Sequence, residues 1–314
     1  MSKHRDHGGG LDAAVARYGG EKSEWIDIST GINPTPYPIG DIAPDAWSQL
    51  PDAAAQDALI QSARSFWNVP RGAAILAAPG ASSLIARLPA LWPVGKVEIQ
   101  TPTYNEHAGA FDAHGWLVLN KPDQAADVQV VVHPNNPDGR LWQHGELTAP
   151  YVIIDESFCD VTPEESLIER VTDGRTIVLK SFGKFWGLAG LRLGFAIGAP
   201  ELIDRLSALI GPWAVSGPAL SIGSAALNDA TWGAATNIKL NKLSEKLDLL
   251  LKNKDAKCLG GTSLFRLYEV PNARAFQDKL AKGRVWSRIF PYSDTWVRLG
   301  LPPEDKWDQL EAAL

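Results

Sequence analysis

Between Ile177 and Gly194 the chain reads IVLKSFGKFWGLAGLRLG: a short apolar run, then Ser-x-x-Lys, a glycine-rich turn, and an arginine eight residues past the lysine. A lysine where a strand hands over to a loop becomes a nucleophile when its surroundings lower its pKa. The characteristic use of such a lysine is a Schiff base with a carbonyl cofactor such as pyridoxal phosphate. Lys184 is the candidate nucleophile, and Ser181 and Arg192 are placed to grip a phosphate. Taken alone, the same spacing also suits a solvated loop lysine.

Other residues supply independently what that cofactor needs. The run Tyr151 to Ile154 ends in Asp155, a carboxylate at the C-terminal edge of a parallel strand, where open α/β sheets bind ligands. There it can pair with a pyridinium nitrogen and keep it protonated, or it can cap the segment that follows. In VVVHPNNPDG at Val130 to Gly139, Asn136 is a donor for the cofactor's phenolic oxygen or a turn residue. PGASS opens a helix, so the free N–H groups around Gly80, Ala81 and Ser82 make a phosphate seat, as any Gly-Ala-Ser helix start would. Tyr104, in TPTYNEH, is placed to stack on a ring or simply to pack.

The elements that must position these groups follow from punctuation and period. Apolar runs at Val97 to Gln100, Trp116 to Leu119, Val128 to His133, Tyr151 to Ile154, Thr176 to Leu179 and Leu193 to Ile197 are bounded by Gly, Pro, Asp or Asn and predict strands. Helices are expected over Ser82 to Leu91 and Tyr104 to His114, and the alternation implies a mostly parallel sheet covered on both faces. Beyond residue 200, Glu201 to Ile210, Ser221 to Asn228 and the Lys- and Leu-rich stretch from about Thr231 to Lys254 read as helices, the long one leaving the large domain. Strands at Ser263 to Val270 and Trp296 to Leu299, with helices around Ala273 to Lys282 and Glu304 to Leu314, predict a small α+β lobe. Ile32 to Gly40 lacks periodicity and reads as an ordered loop.

Composition narrows the function classes. The 314 residues carry 30 Lys and Arg against 36 Asp and Glu, a formal net charge of −6, which does not attract polyanions and argues against nucleic acid as a partner. Hydrophobic residues at 45% place the chain among globular proteins. Cys159 and Cys258 have no metal-ligand spacing and fit a reducing compartment, and no metal is expected. No run approaches the roughly 20 apolar residues of a membrane span, and MSKHRDHGGG lacks the apolar core of a signal peptide. The expectation is a cytoplasmic protein without a membrane partner.

In their order and spacing, PGASS, PTY, HPNNPDG, DESF, SFGKFWGLAGLRLG and WVRLGLP resemble the fold-type I pyridoxal-phosphate enzymes, in the branch holding histidinol-phosphate aminotransferases and threonine-phosphate decarboxylases. The resemblance runs nearly end to end. It implies an α/β fold: a large domain over 36–235 with a mostly parallel seven-stranded sheet, and an N-terminal segment 1–35 joining 236–314 in a small α+β domain. It also implies roles. Lys184 carries the cofactor, Asp155 meets the pyridine nitrogen, Asn136 the 3′ oxygen and Tyr104 the ring face. Ala81, Ser82, Ser181 and Arg192 hold the phosphate. Arg298 falls where the family keeps the arginine that forks onto the substrate's carboxylate. A homodimer with the active site built between two subunits is implied as well, and 12 Trp are an ample supply of interface aromatics, although they equally serve a packed core.

Departures within the resemblance point to the reaction. Aminotransferases of this branch read Asp-Glu-Ala-Tyr where this chain has Asp155, Glu156, Ser157 and Phe158. Threonine-phosphate decarboxylases of cobalamin synthesis are similar to this chain in that phenylalanine, in the His-Gly-Gly at His7 to Gly9, and in the Ile-Asn-Pro at Ile32 to Pro34. The expected reaction is decarboxylation of L-threonine O-3-phosphate, a small phosphorylated amino acid, to (R)-1-aminopropan-2-ol O-phosphate. His7 and Asn33 are expected at the substrate's phosphate, or in a neutral capping or turn role. The alternative is an aminotransferase of the histidinol-phosphate type, using the same residues with the α-hydrogen aligned instead of the carboxylate. Gly183 stands where a serine is usual, and Leu50 where a tyrosine commonly reaches the partner subunit's phosphate. Both changes remove contacts from the cofactor.

Overall fold

The computed structural model describes residues 5–122 and 125–314. Contacts divide the chain into two units: residues 37–136 with 141–235, and residues 1–36, 137–140 and 236–314.

The larger unit is built on a seven-stranded sheet. Its strands lie in the order Ala74–Ala78, Gly194–Gly198, Thr176–Ser181, Tyr151–Asp155, Val128–Val132, Lys96–Glu98, Leu117–Leu119. Val128–Val132 and Gly194–Gly198 are buried at every residue, as expected of strands covered on both faces, whose sequences run continuously apolar rather than alternating. Gly194–Gly198 is antiparallel to both neighbours and all other pairs are parallel, so six strands point the same way. Chain progress across the sheet reverses between Lys96–Glu98 and Val128–Val132, which makes the C-terminal edge there a topological switch point. Val97, Val128, Val130, Ile153, Ile177 and Leu179 meet Leu84, Leu88 and Phe111 in the core.

One expectation about local structure needs correction, and one strand was not expected. Ser82 to Leu91 is not one helix: an α-helix spans Ala81–Ile85 and a 3-10 turn spans Leu88–Leu91. Pro89 explains the break, since it has no N–H to donate and disfavours helical geometry in the residue before it. A hairpin of two strands, Lys257–Thr262 and Phe265–Glu269, forms there: the second is the strand expected within Ser263 to Val270, and the first is an element the sequence did not announce. The first of these is an exposed edge containing Gly260 and Gly261, so no alternation announced it.

In the smaller unit that hairpin joins Ser293–Gly300 and Arg288–Phe290 in an antiparallel sheet, and Ile26–Asp27 pairs in parallel with Val285–Trp286. Residues 137–140 pack directly on the hairpin. A Cβ at Gly139 would lie 2.1 Å from the Gly261 carbonyl oxygen, and one at Gly260 would lie 2.2 Å from that of Asp138, so the two backbones can touch only as glycines. Among the described residues no helix is long and apolar enough to cross a membrane. Both cysteines are free.

An aromatic cluster fixes the loop that follows Thr176–Ser181. Trp186 stacks between Phe182 and Trp232, at centroid distances of 5.0 and 5.3 Å, with its edge toward Tyr37. Tyr37, from the irregular stretch Ile32 to Gly40, donates its N–H to the Trp186 carbonyl. Leu179, fully buried in the central strand, tests the packing of the sheet. Leu179→Ala is expected to lower the unfolding free energy by about 2–5 kcal/mol, read by urea denaturation, whereas a loss below about 1 kcal/mol contradicts close packing there.

Candidate active site

The turns at the C-terminal edge of the sheet converge on one cavity of the larger unit. Its walls include Ala81, Ser82, Tyr104, Asn136, Asp155, Ser181, Lys184 and Arg192, eight of the nine residues that sequence reasoning assigned to a cofactor. The ninth, Gly80, adjoins them. Arg192 joins this edge because its strand runs antiparallel, so the residues just before Gly194 arrive at the edge the parallel strands leave.

At one end the Ala81–Ile85 helix opens behind Gly80, and its first N–H groups have no intrahelical acceptor. A Cβ at Gly80 would lie 2.6 Å from Arg192 Nη2, and one at Gly194 would lie 2.4 Å from the Ala81 nitrogen. Two missing side chains thus let a guanidinium and a row of backbone donors share one small concavity. Ser181 Oγ accepts the Gly183 N–H at 3.2 Å, and Arg192 Nη1 donates to the Ala189 carbonyl at 3.0 Å. This chemistry suits a phosphate dianion.

The other end is a buried carboxylate. Asp155 is 2% exposed, and its Oδ2 lies 2.8 Å from His107 Nε2. Its Oδ1 accepts the Ser157 N–H at 3.0 Å and the Ser157 hydroxyl. Burial pushes the Asp155 carboxyl up, but the hydrogen bond and charge of His107 and the two Ser157 donors outweigh it and hold the group below its ordinary value. A permanent anion therefore sits in the floor of the cavity. Lys184 Nζ lies over the Phe158 ring, 5.4 Å from its centroid. Asn136 follows Val128–Val132, and its neighbour Asn135 is pinned by Thr103 at 2.6 Å and by the Pro102 carbonyl at 3.0 Å. Tyr104 caps the Asn105–Ala113 helix. An amine, an anion, an amide and an aromatic face at one end, with an anion seat at the other, could hold a flat phosphorylated heterocycle that reacts with amines.

His107 is the functional residue that sequence reasoning missed. It stands three residues after Tyr104, the spacing that puts two helical side chains on one face, and that was the available signal. Ser157, inside the quoted DESF motif, was read only as a departure from alanine.

The residues expected at the substrate lie in the smaller unit. Arg298 is 5% exposed, donates to the Ser29 carbonyl at 2.6 Å and lies 5.2 Å over Phe265. Burial and the nearby Arg288 bring its pKa down to about 10. Asn33 is buried, and its Oδ1 accepts the Thr35 N–H at 2.9 Å, a local turn. His7 is exposed, and its carbonyl accepts from Arg288. Its segment is tied to the same serine as Arg298, because Gly9 N–H donates to Ser29 Oγ at 2.6 Å.

His133, Glu156 and Cys159 place ligand atoms within 4.8 Å of one another, the one such group of three among the described residues. Their atoms are already engaged. His133 Nδ1 accepts the Trp142 N–H and its Nε2 donates to the Glu165 carbonyl, Glu156 accepts from Lys180, Ser166 and Leu167, and the Cys159 thiol points at the Thr162 carbonyl. The set is a hydrogen-bonded cluster and not an arrangement waiting for an ion.

Residues 43–314 match the family described as aminotransferase class I and II. A threonine-phosphate decarboxylase of Sinorhizobium is 38% identical, and one of Pseudomonas aeruginosa 36%, each alignment covering 98% of this chain and 97% of the relative. Among solved structures, a histidinol-phosphate aminotransferase from Sinorhizobium meliloti in complex with pyridoxal-5′-phosphate shares the fold, with a TM-score of 0.85 at 20% identity over 98% of this chain and 93% of its own.

The carboxylate geometry sets a pH test. A depressed folded pKa means that Asp155 adds stability above its unfolded value of about 3.9, and that this contribution is lost as pH falls through the lower folded value. In His107→Leu, burial prevails and the folded pKa rises instead. The variant is expected to lose stability between pH 4 and pH 7, where the parent does not, as read by urea unfolding at both values. Parallel pH curves for the two proteins contradict the account.

Proposed function

This chain belongs to the aminotransferase class I and II family, and from that premise we propose that it is a pyridoxal-phosphate-dependent lyase. It decarboxylates L-threonine O-3-phosphate to (R)-1-aminopropan-2-ol O-phosphate, the aminopropanol unit of the cobalamin side chain. The observation that carries this reading is similarity along nearly the whole chain to two threonine-phosphate decarboxylases. Phe158, where aminotransferases of the branch carry a tyrosine, points the same way.

When bound, pyridoxal phosphate supplies an aldehyde that condenses with amines and a pyridinium ring that takes up the electron pair left when carbon dioxide departs. The residues of the cavity fit such a group: the concavity between Gly80, Ala81 and Arg192 would receive the phosphate, Tyr104 would cover the ring, and Asn136 would donate to its phenolic oxygen. Asp155, kept ionised by His107 and Ser157, would hold the proton on the pyridine nitrogen. Lys184 Nζ provides the tethering amine. The same amine, when free, would be the base or acid that carries a proton to the substrate's α-carbon. Phe158 offers no hydroxyl and keeps the surroundings of Lys184 apolar. We assign the substrate's carboxylate to Arg298, whose planar fork suits it, and its phosphate to His7 and Asn33, on the family resemblance.

A homodimer and a cytoplasmic location belong to the same proposal. The exposed Trp47, Leu50 and Trp213 of the larger unit support the first, lying on or beside elements that pack together, since the Asp45–Ser48 and Gly217–Asn228 helices are in contact. Sedimentation is expected to give a dimer, and a fully active monomer contradicts it.

Two experiments test the chemistry. Borohydride reduction of the cofactor-loaded protein followed by peptide mapping is expected to label Lys184, while Lys184→Ala folds but loses turnover almost completely. A label elsewhere overturns the assignment. With O-phosphothreonine and no 2-oxo acid, the enzyme is expected to release carbon dioxide. Release of none, together with conversion of histidinol phosphate at the expense of 2-oxoglutarate, establishes the aminotransferase reading instead.

A further inference from the structure

Behind the cavity lies a second set of charges that the mechanism does not use. Strand alternation puts Asp155 and Ser181 on the cavity wall and sends their neighbours Glu156 and Lys180 to the opposite side. Lys180 is 2% exposed and its Nζ lies 2.6 Å from Glu156 Oε2 and 3.6 Å from Asp160 Oδ1. The Trp67 ring stands 5.6 Å away, and the Trp67 indole donates to Asp160 at 2.9 Å.

We propose that Lys180 is a positioning residue for the reaction at Lys184: by neutralising Glu156 it sets the electrostatic potential in which the Asp155 carboxylate and the Lys184 amine act. The proposal rests on the cofactor reading given above. A fully buried ion pair is a poor way to gain stability, because apolar side chains of similar volume do as well or better, so the burial of charge at this point calls for another reason. Location supplies one. Glu156 directly follows Asp155, Lys180 precedes Lys184 by one turn of chain, and the Glu156 N–H donates to the Leu179 carbonyl at 3.0 Å, locking the two strand ends together.

The charges facing each group can be enumerated. Lys180 meets Glu156, Asp160 and the Cys159 thiol; burial works against its charge, but the two carboxylates outweigh burial and keep it protonated. Burial pushes the Asp160 carboxyl up, and of the two carboxylates Glu156 lies closer to the Lys180 ammonium, at 2.6 Å against 3.6 Å. His133, beside Glu156, accepts at Nδ1 from a backbone N–H and is therefore the neutral Nε2–H form. On the cavity side, the charged groups are Asp155, hydrogen-bonded to His107, with Arg192 and Lys184 itself.

Loss of the ammonium leaves a bare carboxylate beside Asp155 and raises proton affinity in the cavity, whereas loss of the Glu156 carboxylate leaves a bare ammonium and lowers it. Opposite signs are the signature of electrostatics, since loosened packing shifts both variants alike. The test is the pH titration of the visible absorbance of pyridoxal phosphate on Lys184, in holoenzyme whose fold is checked by circular dichroism. Lys180→Met is expected to raise the midpoint by about one pH unit, Glu156→Gln to lower it by a similar amount, and Lys180→Arg to keep it within a few tenths. If Lys180→Met does not fold, the charge-balanced double variant Lys180→Met with Glu156→Gln replaces it, with a midpoint expected to return toward the parent's while Glu156→Gln still carries the sign. Unmoved midpoints in folded variants, or shifts of the same sign, overturn the proposal. Failure of borohydride to label Lys184 in the parent sinks the cofactor reading, whereas a labelled Lys184 with unmoved midpoints sinks only this one.

Discussion

A carboxylate buried as deeply as Asp155 stays ionised only while donors surround it, and much of the larger unit can be traced to that requirement. His107 has to reach Asp155 Oδ2 from outside the sheet, which fixes the Asn105–Ala113 helix over the C-terminal edge of the Tyr151–Asp155 strand. Tyr104, one turn earlier on that helix, is then carried over the same cavity. Ser157 meets Oδ1 with both its N–H and its hydroxyl, so the chain turns immediately after the strand, and the turn brings Phe158 beneath Lys184. Two wall residues, Tyr104 and Phe158, are thus placed as by-products of keeping one charge.

The same alternation that turns Asp155 toward the cavity turns Glu156 away from it. A strand cannot present an acidic pair on one face, so the second carboxylate of the Asp-Glu pair needs its own partners. Lys180, Ser166 and the Leu167 N–H provide them. The adjoining Ile168–Asp173 segment is thereby anchored to the sheet. One sequence motif builds two electrostatic environments, one on each side of a strand end.

How much of this was legible depended on whether a residue's role is local. The buried strands were legible because continuous apolar runs bounded by Gly, Pro or Asp have few other uses, and the lining of one cavity because its members sit at strand ends in a fixed order. Ser82 to Leu91 misled because its apolar spacing is helical while Pro89 is not compatible with a continuous helix. The Lys257–Thr262 strand was hidden because it is an exposed edge chosen by backbone approach at Gly260 and Gly261 rather than by hydrophobic pattern. His107 and Lys180 escaped for another reason. Their partners are 48 and 24 residues away in sequence, and while the spacing from Tyr104 gives the face on which His107 lies, it does not give the partner before the strands are in register.

The phosphate end of the cavity depends on topology in a way that no side chain does. A parallel strand delivers its C-terminus to the working edge, while the one antiparallel strand delivers its N-terminus there. Gly194 therefore meets the Ala81 nitrogen, and Arg192 just ahead of it meets Gly80, from the opposite chain direction. At Gly194 the approach is closer than any Cβ permits, so that glycine is required by contact, whereas Gly80 is required by its φ of 81° as well as by the Arg192 guanidinium beside it. Gly183 differs. A Cβ there would stand 3.4 Å from Ala189 Cα and 3.6 Å from Ser181 Oγ, which are ordinary contacts. The position usually held by serine is thus open to one, and glycine there leaves the anion seat with Ser181, Ser82, Arg192 and the helix N–H groups as its donors. Charge and backbone, more than hydroxyls, define this seat, and that is the arrangement expected where a dianion must be held while the ring it carries is free to change its covalent partner.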